Sequence, residues 1–205
     1  MIIFISGVDG TGKTTLSKNL AIELSNLKKT KYIYLGDYFI LKIFIKFFSF
    51  INFINKKKYI LNTSKIKKKK KMSFLLLIYY FDYQIHFLYL KLLSLFGYIV
   101  ICDRSPLDKI AGYMMHNVDI KKFIKFFFKF KFYPDFYIFL HCNYSNSLHR
   151  ETEGKHEIVF YKNLFSYYIF LLNKIDSHKV IRLNTDDTLD VVSKKLKKIF
   201  IDKAF

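Results

Sequence analysis

Residues 7–14 of this 205-residue chain read GVDGTGKT and follow the short apolar run Ile2–Ser6. They match the pattern GxxxxGK[ST] at every position, between a predicted strand and a predicted helix. Glycines in such a loop let backbone N–H groups turn inward around a phosphate chain, which the N-terminus of a helix also attracts. The feature predicts a nucleoside triphosphate site.

Individual residues of this loop have separate expected tasks. Lys13 is expected to reach the β- and γ-phosphates, and the Thr14 hydroxyl to ligate Mg²⁺. The residues expected to bind the nucleotide are Gly7, Asp9, Gly10, Thr11, Gly12, Lys13, Thr14 and Thr15. GTPases and motor ATPases share such a loop, so the loop alone leaves the reaction open.

Strand-like apolar runs alternate with helical patterns along the rest of the chain. The predicted strands are Ile2–Ser6, Tyr32–Leu35, Tyr98–Cys102, Phe136–His141 and Lys179–Leu183. This alternation is typical of a parallel sheet with helices on both faces. We therefore expect one α/β domain of the P-loop NTPase class, spanning residues 1–205, with a five-stranded parallel sheet and a lid.

The segment between the second and third predicted strands is apolar and basic. Phe39–Phe53 is expected to be a helix, and the lysine runs Lys56–Lys58 and Lys65–Lys71 to form a mobile basic insert around residues 54–73. Phe74–Phe96 is again strongly apolar, but polar residues such as Asp82 interrupt it. It is therefore interpreted as a buried core helix, not as a membrane span.

The formal net charge of +19 comes almost entirely from lysine, since the chain has three arginines, Arg104, Arg150 and Arg182. We interpret the excess as lysine on a solvated surface, enriched together with Ile, Asn, Phe and Tyr as AT-rich coding would produce. The alternative is weak contact with an anionic membrane or nucleic acid through the lysine-rich insert. Cys102 and Cys142 are expected to be buried free thiols, and the chain opens without a signal-peptide pattern, so we expect a cytoplasmic protein.

Three segments carry a resemblance to the thymidylate kinase family. The loop within residues 5–15 resembles that family's loop, with an acidic residue at Asp9. Asp103-Arg104-Ser105 resembles its DRY-type motif, and Arg150 with residues 151–157 resembles its lid. The resemblance implies that Asp9 faces the acceptor sugar and that Arg104 binds a phosphate. It also implies that Asp103 anchors Mg²⁺ through water.

The resemblance implies an ATP-dependent nucleoside monophosphate kinase that converts dTMP and ATP to dTDP and ADP, with Mg²⁺ and a homodimer packed through helices. The expected catalytic residues are Lys13, Arg104, Arg150 and Asp9, with Thr14 and Asp103 on the metal. If the acceptor is already a phosphate, no general base is required.

Two departures from the family concern the acceptor. The segment after the second strand lacks the family's proline, and Tyr83 stands where an arginine that reads thymine is expected. Tyr79, Tyr80 and Tyr83 are interpreted either as core residues or as stacking partners of a base. Two alternatives therefore stay open: a kinase acting on a hydroxyl of a nucleoside or glycan-like acceptor, with Asp9 as base, or an ATP-binding switch protein on a membrane or nucleic acid.

Overall fold

The computed structural model describes residues 1–36, 65–115, 120–129, 133–150 and 158–204. The strands are β1 Ile2–Gly7, β2 Thr30–Tyr34, β3 Ile99–Asp103, β4 Phe136–His141 and β5 Val180–Asn184. The helices are α1 Lys13–Ser25, α2 Lys65–Leu95, α3 Pro106–Met115, α4 Lys121–Lys129, α5 Tyr144–Arg150, α6 Ile158–Leu172 and α7 Leu189–Ala204. A short 3₁₀ helix, Ser177–Lys179, precedes β5.

The five strands form one parallel sheet in the order β2-β3-β1-β4-β5. β1 lies at the centre, where Ile3 is paired in register with Ile101 of β3 and Phe136 of β4. Because all strands are parallel, their carboxyl ends meet at one edge, and β1, β3, β4 and β5 there lead into loops that carry polar residues. The predicted fold class is confirmed.

Alternate residues of the strands build two separate cores. Phe4 faces a cluster formed with α2, α3, α4 and α6, whereas Ile3 and Ile5 face a second cluster formed with α1 and α7. Period-two alternation is a property of the extended backbone, so a central strand covered by helices on both faces has apolar residues on both faces. All six residues of β1 are buried, and the first four, Ile2–Ile5, are apolar.

The lysine run 65–71 differs from its prediction. In place of a mobile loop, it forms the first two turns of α2, which continues to Leu95. Lysine is a good helix former, and the run is continuous with the apolar stretch that follows. The other basic run, Lys56–Lys58, and the predicted helix Phe39–Phe53 lie outside the described residues. Among the helices described, none is both long and apolar enough to cross a bilayer.

Helix α2 has one buried face and one exposed face. Tyr79, Tyr80 and Tyr83 are each at most 7% exposed, and Tyr83 contacts the rings of Phe87 and Phe127, so these tyrosines are core residues. Apolar side chains of the opposite face are exposed. The two cysteines are buried and free, as predicted.

Candidate functional site

The loop between β1 and α1 has two glycines in the left-handed region, Gly10 with φ of 78° and Gly12 with φ of 79°. A side chain at Gly10 would also collide with α5, since its Cβ would lie 2.4 Å from the carbonyl oxygen of Ser147. Gly7 is equally confined, because a Cβ there would lie 2.3 Å from the carbonyl oxygen of Leu140. The loop therefore needs glycine at Gly7 and Gly10 for space and at Gly10 and Gly12 for backbone conformation.

Lys13 and Asp9 contact each other across this loop. The Lys13 ammonium donates to the carbonyl oxygen of Val8 at 2.9 Å and to Oδ1 of Asp9 at 3.1 Å. The Lys13 side chain is 6% exposed, whereas that of Asp9 is 44% exposed. A buried ammonium requires such partners. A phosphate entering the loop would offer Lys13 a stronger anionic partner than a carbonyl oxygen.

Arg104 follows β3 directly and also reaches Asp9. Its Nη2 lies 3.5 Å from Oδ1 of Asp9. The Arg104 backbone N–H donates to the carbonyl oxygen of Ile5, which fixes the residue beside β1. Burial opposes its positive charge, but the carboxylates of Asp108 and Asp9 outweigh that effect and raise the pKa of Arg104. The guanidinium is therefore a permanent cation facing the loop.

The backbone of Arg104 is strained, with a φ of 77°. A side chain in the left-handed region costs about 1–2 kcal/mol, and residues in such conformations cluster at functional sites. This conformation turns the chain sharply between the end of β3 and the start of α3.

Asp103 closes β3 and is completely buried. Its Oδ2 accepts a hydrogen bond from the Tyr32 hydroxyl at 2.9 Å, while its buried Oδ1 has no hydrogen-bond partner in the described part of the chain. An unsatisfied carboxylate oxygen is costly, and a divalent cation or a water held by one would satisfy it. With the exposed hydroxyl of Thr14, the donor set consists of oxygens, which Mg²⁺ prefers; these residues fit that ion.

Helix α5 packs against the loop and brings a second arginine. Ser147 Oγ donates to the backbone carbonyl oxygen of Asp9 at 2.6 Å. Arg150, at the end of α5, donates from Nη1 to the carbonyl oxygen of Thr185 at 2.7 Å. Asp186 holds the other side of this junction by accepting from the backbone N–H of Asn143 at 2.8 Å.

These elements enclose a cavity of about 590 Å³ at the carboxyl edge of the sheet. It is lined by Asp9, Gly10, Thr11, Gly12, Lys13, Thr14, Thr15, Leu16, Arg104, Arg150, Thr185, Asp187, Thr188 and Val192. Three cations from three different elements thus border one volume, together with the first turn of α1. Such an arrangement binds polyanions and stabilises negative charge that develops on oxygens.

Most of the predicted site residues line this cavity. Gly7 and Asp103 are the two that do not line the cavity: both are buried immediately behind it, at the ends of β1 and β3. The expected lid residues 151–157 lie outside the described residues, so only Arg150 of that segment is placed. Tyr83, at the position where the family has an arginine, is in the core.

Some residues of the site were missed or only loosely placed by the sequence. None of three such residues carries a motif of its own: Ser147 is in the short helix α5, Thr188 directly precedes α7, and Val192 is in the first turn of α7. They reach the site because α5 and α7 both begin at the carboxyl edge of the sheet. Thr185 could have been recognised as a site residue from its position directly after the last strand, because α/β sheets bind ligands at the carboxyl ends of their strands.

A second nucleotide motif is present but badly placed for the cavity. Asn173–Asp176 reads NKID and matches NKxD, the pattern by which GTPases read guanine. These residues precede β5, at the edge of the sheet opposite the phosphate loop, and Asn173 Oδ1 accepts a hydrogen bond from Arg182. The match does not support guanine recognition in this cavity.

The sheet order, the loop and the helix that follows it define the P-loop NTPase fold. The chain is similar in structure to a thymidylate kinase from Ehrlichia chaffeensis, with a TM-score of 0.65 and 20% sequence identity over 98% of each chain. No protein-family model and no curated protein matches the sequence. The fold is therefore that of thymidylate kinase, whereas the two sequences are only 20% identical.

Proposed function

We propose that this chain is an ATP-dependent nucleoside monophosphate kinase, and that dTMP is the first acceptor to test. The observation that carries the proposal is the convergence of Lys13, Arg104 and Arg150 on one cavity beside a complete phosphate loop. The similarity in fold to a thymidylate kinase over the whole chain supports the same reaction class.

The proposed mechanism uses positioning and charge neutralisation. ATP lies with its phosphates in the loop and its base between α1 and the β5–α7 connection, where Leu16 and Val192 supply apolar contacts. Lys13 leaves Val8 and Asp9 for the β- and γ-phosphates. Arg104 and Arg150 neutralise the transferring group, whose transition state spreads negative charge over its peripheral oxygens.

Magnesium would be held by the Thr14 hydroxyl directly and by Asp103 through water. When bound, it neutralises charge on the β- and γ-phosphate oxygens. Asp103 is kept in place by the Tyr32 hydroxyl, and by its own carbonyl oxygen, which accepts from the backbone N–H of Leu35 at 2.9 Å.

The role of Asp9 separates a phosphate acceptor from a hydroxyl acceptor. A phosphate acceptor needs no proton removed, so Asp9 can keep orienting Arg104 and contact the acceptor sugar. A hydroxyl acceptor needs a base, and Asp9 would have to leave Arg104 to serve as one, since Lys13 has by then moved to the phosphates of ATP. The contact with Arg104 therefore favours the phosphate acceptor.

The test is ADP release from Mg-ATP with dTMP, dUMP, other nucleoside monophosphates, thymidine and simple sugars. We expect turnover with a monophosphate, lost by at least about a hundredfold in Arg104→Lys and Lys13→Ala, since transition-state charge contacts of this kind are worth about 3 kcal/mol or more. Arg182→Lys is the matched control, because Arg182 is exposed on β5 and bonds Asn173.

Turnover of thymidine or a sugar without turnover of any monophosphate would replace the proposal by the hydroxyl-acceptor alternative. In that case Asp9→Asn should abolish activity. ATP binding without turnover of any acceptor would favour the switch-protein alternative.

We also propose that the chain forms a homodimer through α2. An apolar stripe runs along the exposed face of this helix, with each residue between 47 and 73% exposed. Its members are Phe81, Ile85, Leu88, Leu92 and Leu95. Their spacings of four, three, four and three residues give the heptad period of a self-complementary helix seam. Leaving such a stripe in water is costly, and a second copy would cover it.

Sedimentation analysis should show a dimer for the wild type and a monomer for Leu88→Lys, because the substitution places two lysines in the seam. Ile22→Lys is the control, since Ile22 is 65% exposed on α1, away from the stripe. With a net charge of +19 on each copy, added salt should strengthen the dimer. A wild type that stays monomeric at high micromolar concentration would contradict the proposal.

A further inference from the structure

A hydrogen-bonded network lies directly behind Arg104, at the start of α3. Oδ2 of Asp108 accepts from the backbone N–H of Ser105 at 2.7 Å and from its hydroxyl at 3.0 Å. Ser105 Oγ in turn accepts from the backbone N–H of Leu107 at 3.1 Å. Ser105 and Asp108 thus form a reciprocal cap on α3, with an aspartate in the place usually taken by glutamate.

The network extends to two other elements. Ser6 of β1 donates its hydroxyl to Ser105 Oγ at 2.5 Å. Tyr168 of α6 donates its hydroxyl to Oδ1 of Asp108 at 2.9 Å. Tyr168 is 2% exposed, and burial, with the charge of Asp108 as the next cause, raises its pKa well above the ordinary value. Its hydroxyl is therefore neutral near pH 7 and donates to Asp108 in the folded protein.

Arg104 is the residue immediately before this cap and needs external support. Its φ of 77° is unfavourable by itself, so the structure around it must hold the backbone there. On one side, its N–H is bonded to Ile5. On the other side, the support is Ser105, whose N–H and hydroxyl are both bound by Asp108.

We propose that Tyr168 and Asp108 are positioning residues for Arg104: they fix the turn that aims its guanidinium into the cavity beside Asp9. In this inference the role of Arg104 rests on the proposed function, whereas the support of its turn by Tyr168 and Asp108 does not. Charge acts in the same direction, because the carboxylate of Asp108 also stabilises the guanidinium as a cation.

The alternative is that Tyr168 only stabilises the packing of α6 on α3. Tyr168→Phe separates the two, with Tyr137→Phe as a matched control. Tyr137 is buried in the same core, and its hydroxyl has no hydrogen-bond partner among the described residues. Both substitutions remove one buried hydroxyl, but only Tyr168→Phe breaks a bond to Asp108.

Two readouts are compared. The first is the ¹⁵N–¹H signal of the Arg104 Nε–Hε group. The full chain has three arginines, so this signal is identified as the one that is missing in Arg104→Lys. The second is kcat, compared with the KM values for ATP and the acceptor. We expect Tyr168→Phe to shift or broaden the Arg104 signal and to lower kcat about three- to tenfold, the effect of one ordinary hydrogen bond, with both KM values unchanged.

Tyr137→Phe should change neither readout, and Arg150 and Arg182 signals should stay in place in both variants. A Tyr168→Phe protein that unfolds more easily but matches Tyr137→Phe in the Arg104 signal would overturn the proposal. If the wild type phosphorylates no monophosphate, the proposed function fails while the Arg104 signal still decides the network. Asp108→Asn, which keeps the size of the side chain, provides a second variant.

Discussion

Arg104 combines an unfavourable backbone conformation with a cationic side chain that borders the cavity beside the phosphate loop. Lysine is far more common in this chain, yet an arginine stands at the one non-glycine position with a positive φ among the described residues. Its planar fork can bind two phosphate oxygens at once, which an ammonium cannot do in the same geometry. The strained backbone at Arg104 thus lowers the stability of the fold and holds the guanidinium in a fixed position.

The backbone cost at Arg104 can be measured apart from its charge. Arg104→Gly and Arg104→Ala both lose the guanidinium, but only glycine accepts a φ of 77° without strain. We expect the glycine variant to be more stable than the alanine variant by about 1 kcal/mol in urea unfolding. At Lys162, exposed on helix α6, the order should reverse, with alanine more stable by about 1 kcal/mol.

If the alanine variant were more stable than the glycine variant at Arg104 as well as at Lys162, Arg104 would be shown to be unstrained. Neither variant at Arg104 should phosphorylate an acceptor.

At the scale of elements, the site depends on how α5 is attached to the end of β5. Asp186, in the connection after β5, accepts from the backbone N–H of Asn143 and from the side-chain amide of Asn146, both at 2.8 Å. These bonds, with Arg150 on Thr185, hold α5 against the phosphate loop. The hydrogen bond from the Asn143 backbone is the main cause that lowers the pKa of Asp186 below its usual 3.8.

This attachment predicts a pH-dependent stability difference. A carboxyl with a lowered pKa in the folded state stabilises the fold above its unfolded pKa, and the contribution is lost as the pH falls through the folded pKa. Asp186→Ala should therefore cost about 1 kcal/mol near neutral pH, and the cost should shrink below about pH 4. Chemical unfolding of both proteins between pH 3 and 7 measures it.

Asp187→Ala is the control for Asp186. Asp187 pairs with Lys195 at 2.7 Å, but both side chains are more than half exposed, so its loss should cost no more than about 0.5 kcal/mol. An equal cost for the two variants at every pH would contradict the role given to Asp186.

At the scale of the whole molecule, several tyrosines have their hydroxyls buried inside the fold. Tyr83, Tyr137 and Tyr168 are buried, and burial raises the pKa of each well above 10. Tyr161 donates to the carbonyl oxygen of Cys142, and burial raises its pKa to about 12. A tyrosine that is neutral in the folded state and free to ionise when unfolded favours unfolding at high pH.

The fold should therefore lose stability steeply as the pH rises from about 10 to 12. The sign follows from the raised pKa values of the folded state. The contribution of the neutral buried tyrosines to the free energy of unfolding is complete below their unfolded pKa near 10, and it is lost as the pH rises through their folded pKa values. Absorbance of tyrosinate and circular dichroism should change together in one cooperative step for the buried residues. Smooth ionisation of all tyrosines without unfolding would contradict this expectation.

Local sequence was sufficient for the strands and the phosphate loop. A buried parallel strand must be apolar on both faces, and a phosphate loop needs glycines at fixed spacing, so both features are visible within about ten residues. Arg104 and Asp103 are singled out by their resemblance to a family motif and by their position at the carboxyl end of a recognisable strand.

Other parts of the site required the three-dimensional fold. The pairing of Tyr168 with Asp108 joins residues 60 positions apart, and Ser147 reaches the carbonyl oxygen of Asp9 across 138 positions. Nothing in either local sequence marks these partners, since a tyrosine in an apolar helix has the same pattern whether or not its hydroxyl is bonded. The NKID tetrapeptide shows the converse: a local match that the fold places at the wrong edge of the sheet.

The sequence by itself determined the fold class and the phosphate loop with Lys13, because these depend on local patterns and on the order of strands and helices. The roles of Arg104 and Arg150 rest on the family resemblance and stay predictions. Tertiary structure alone decided which buried tyrosines bond to the site, which face of α2 remains exposed, and that Asp9 binds both Lys13 and Arg104. The physical reason is that hydrogen bonds and burial depend on distances between segments, and those distances exist only after the sheet has assembled.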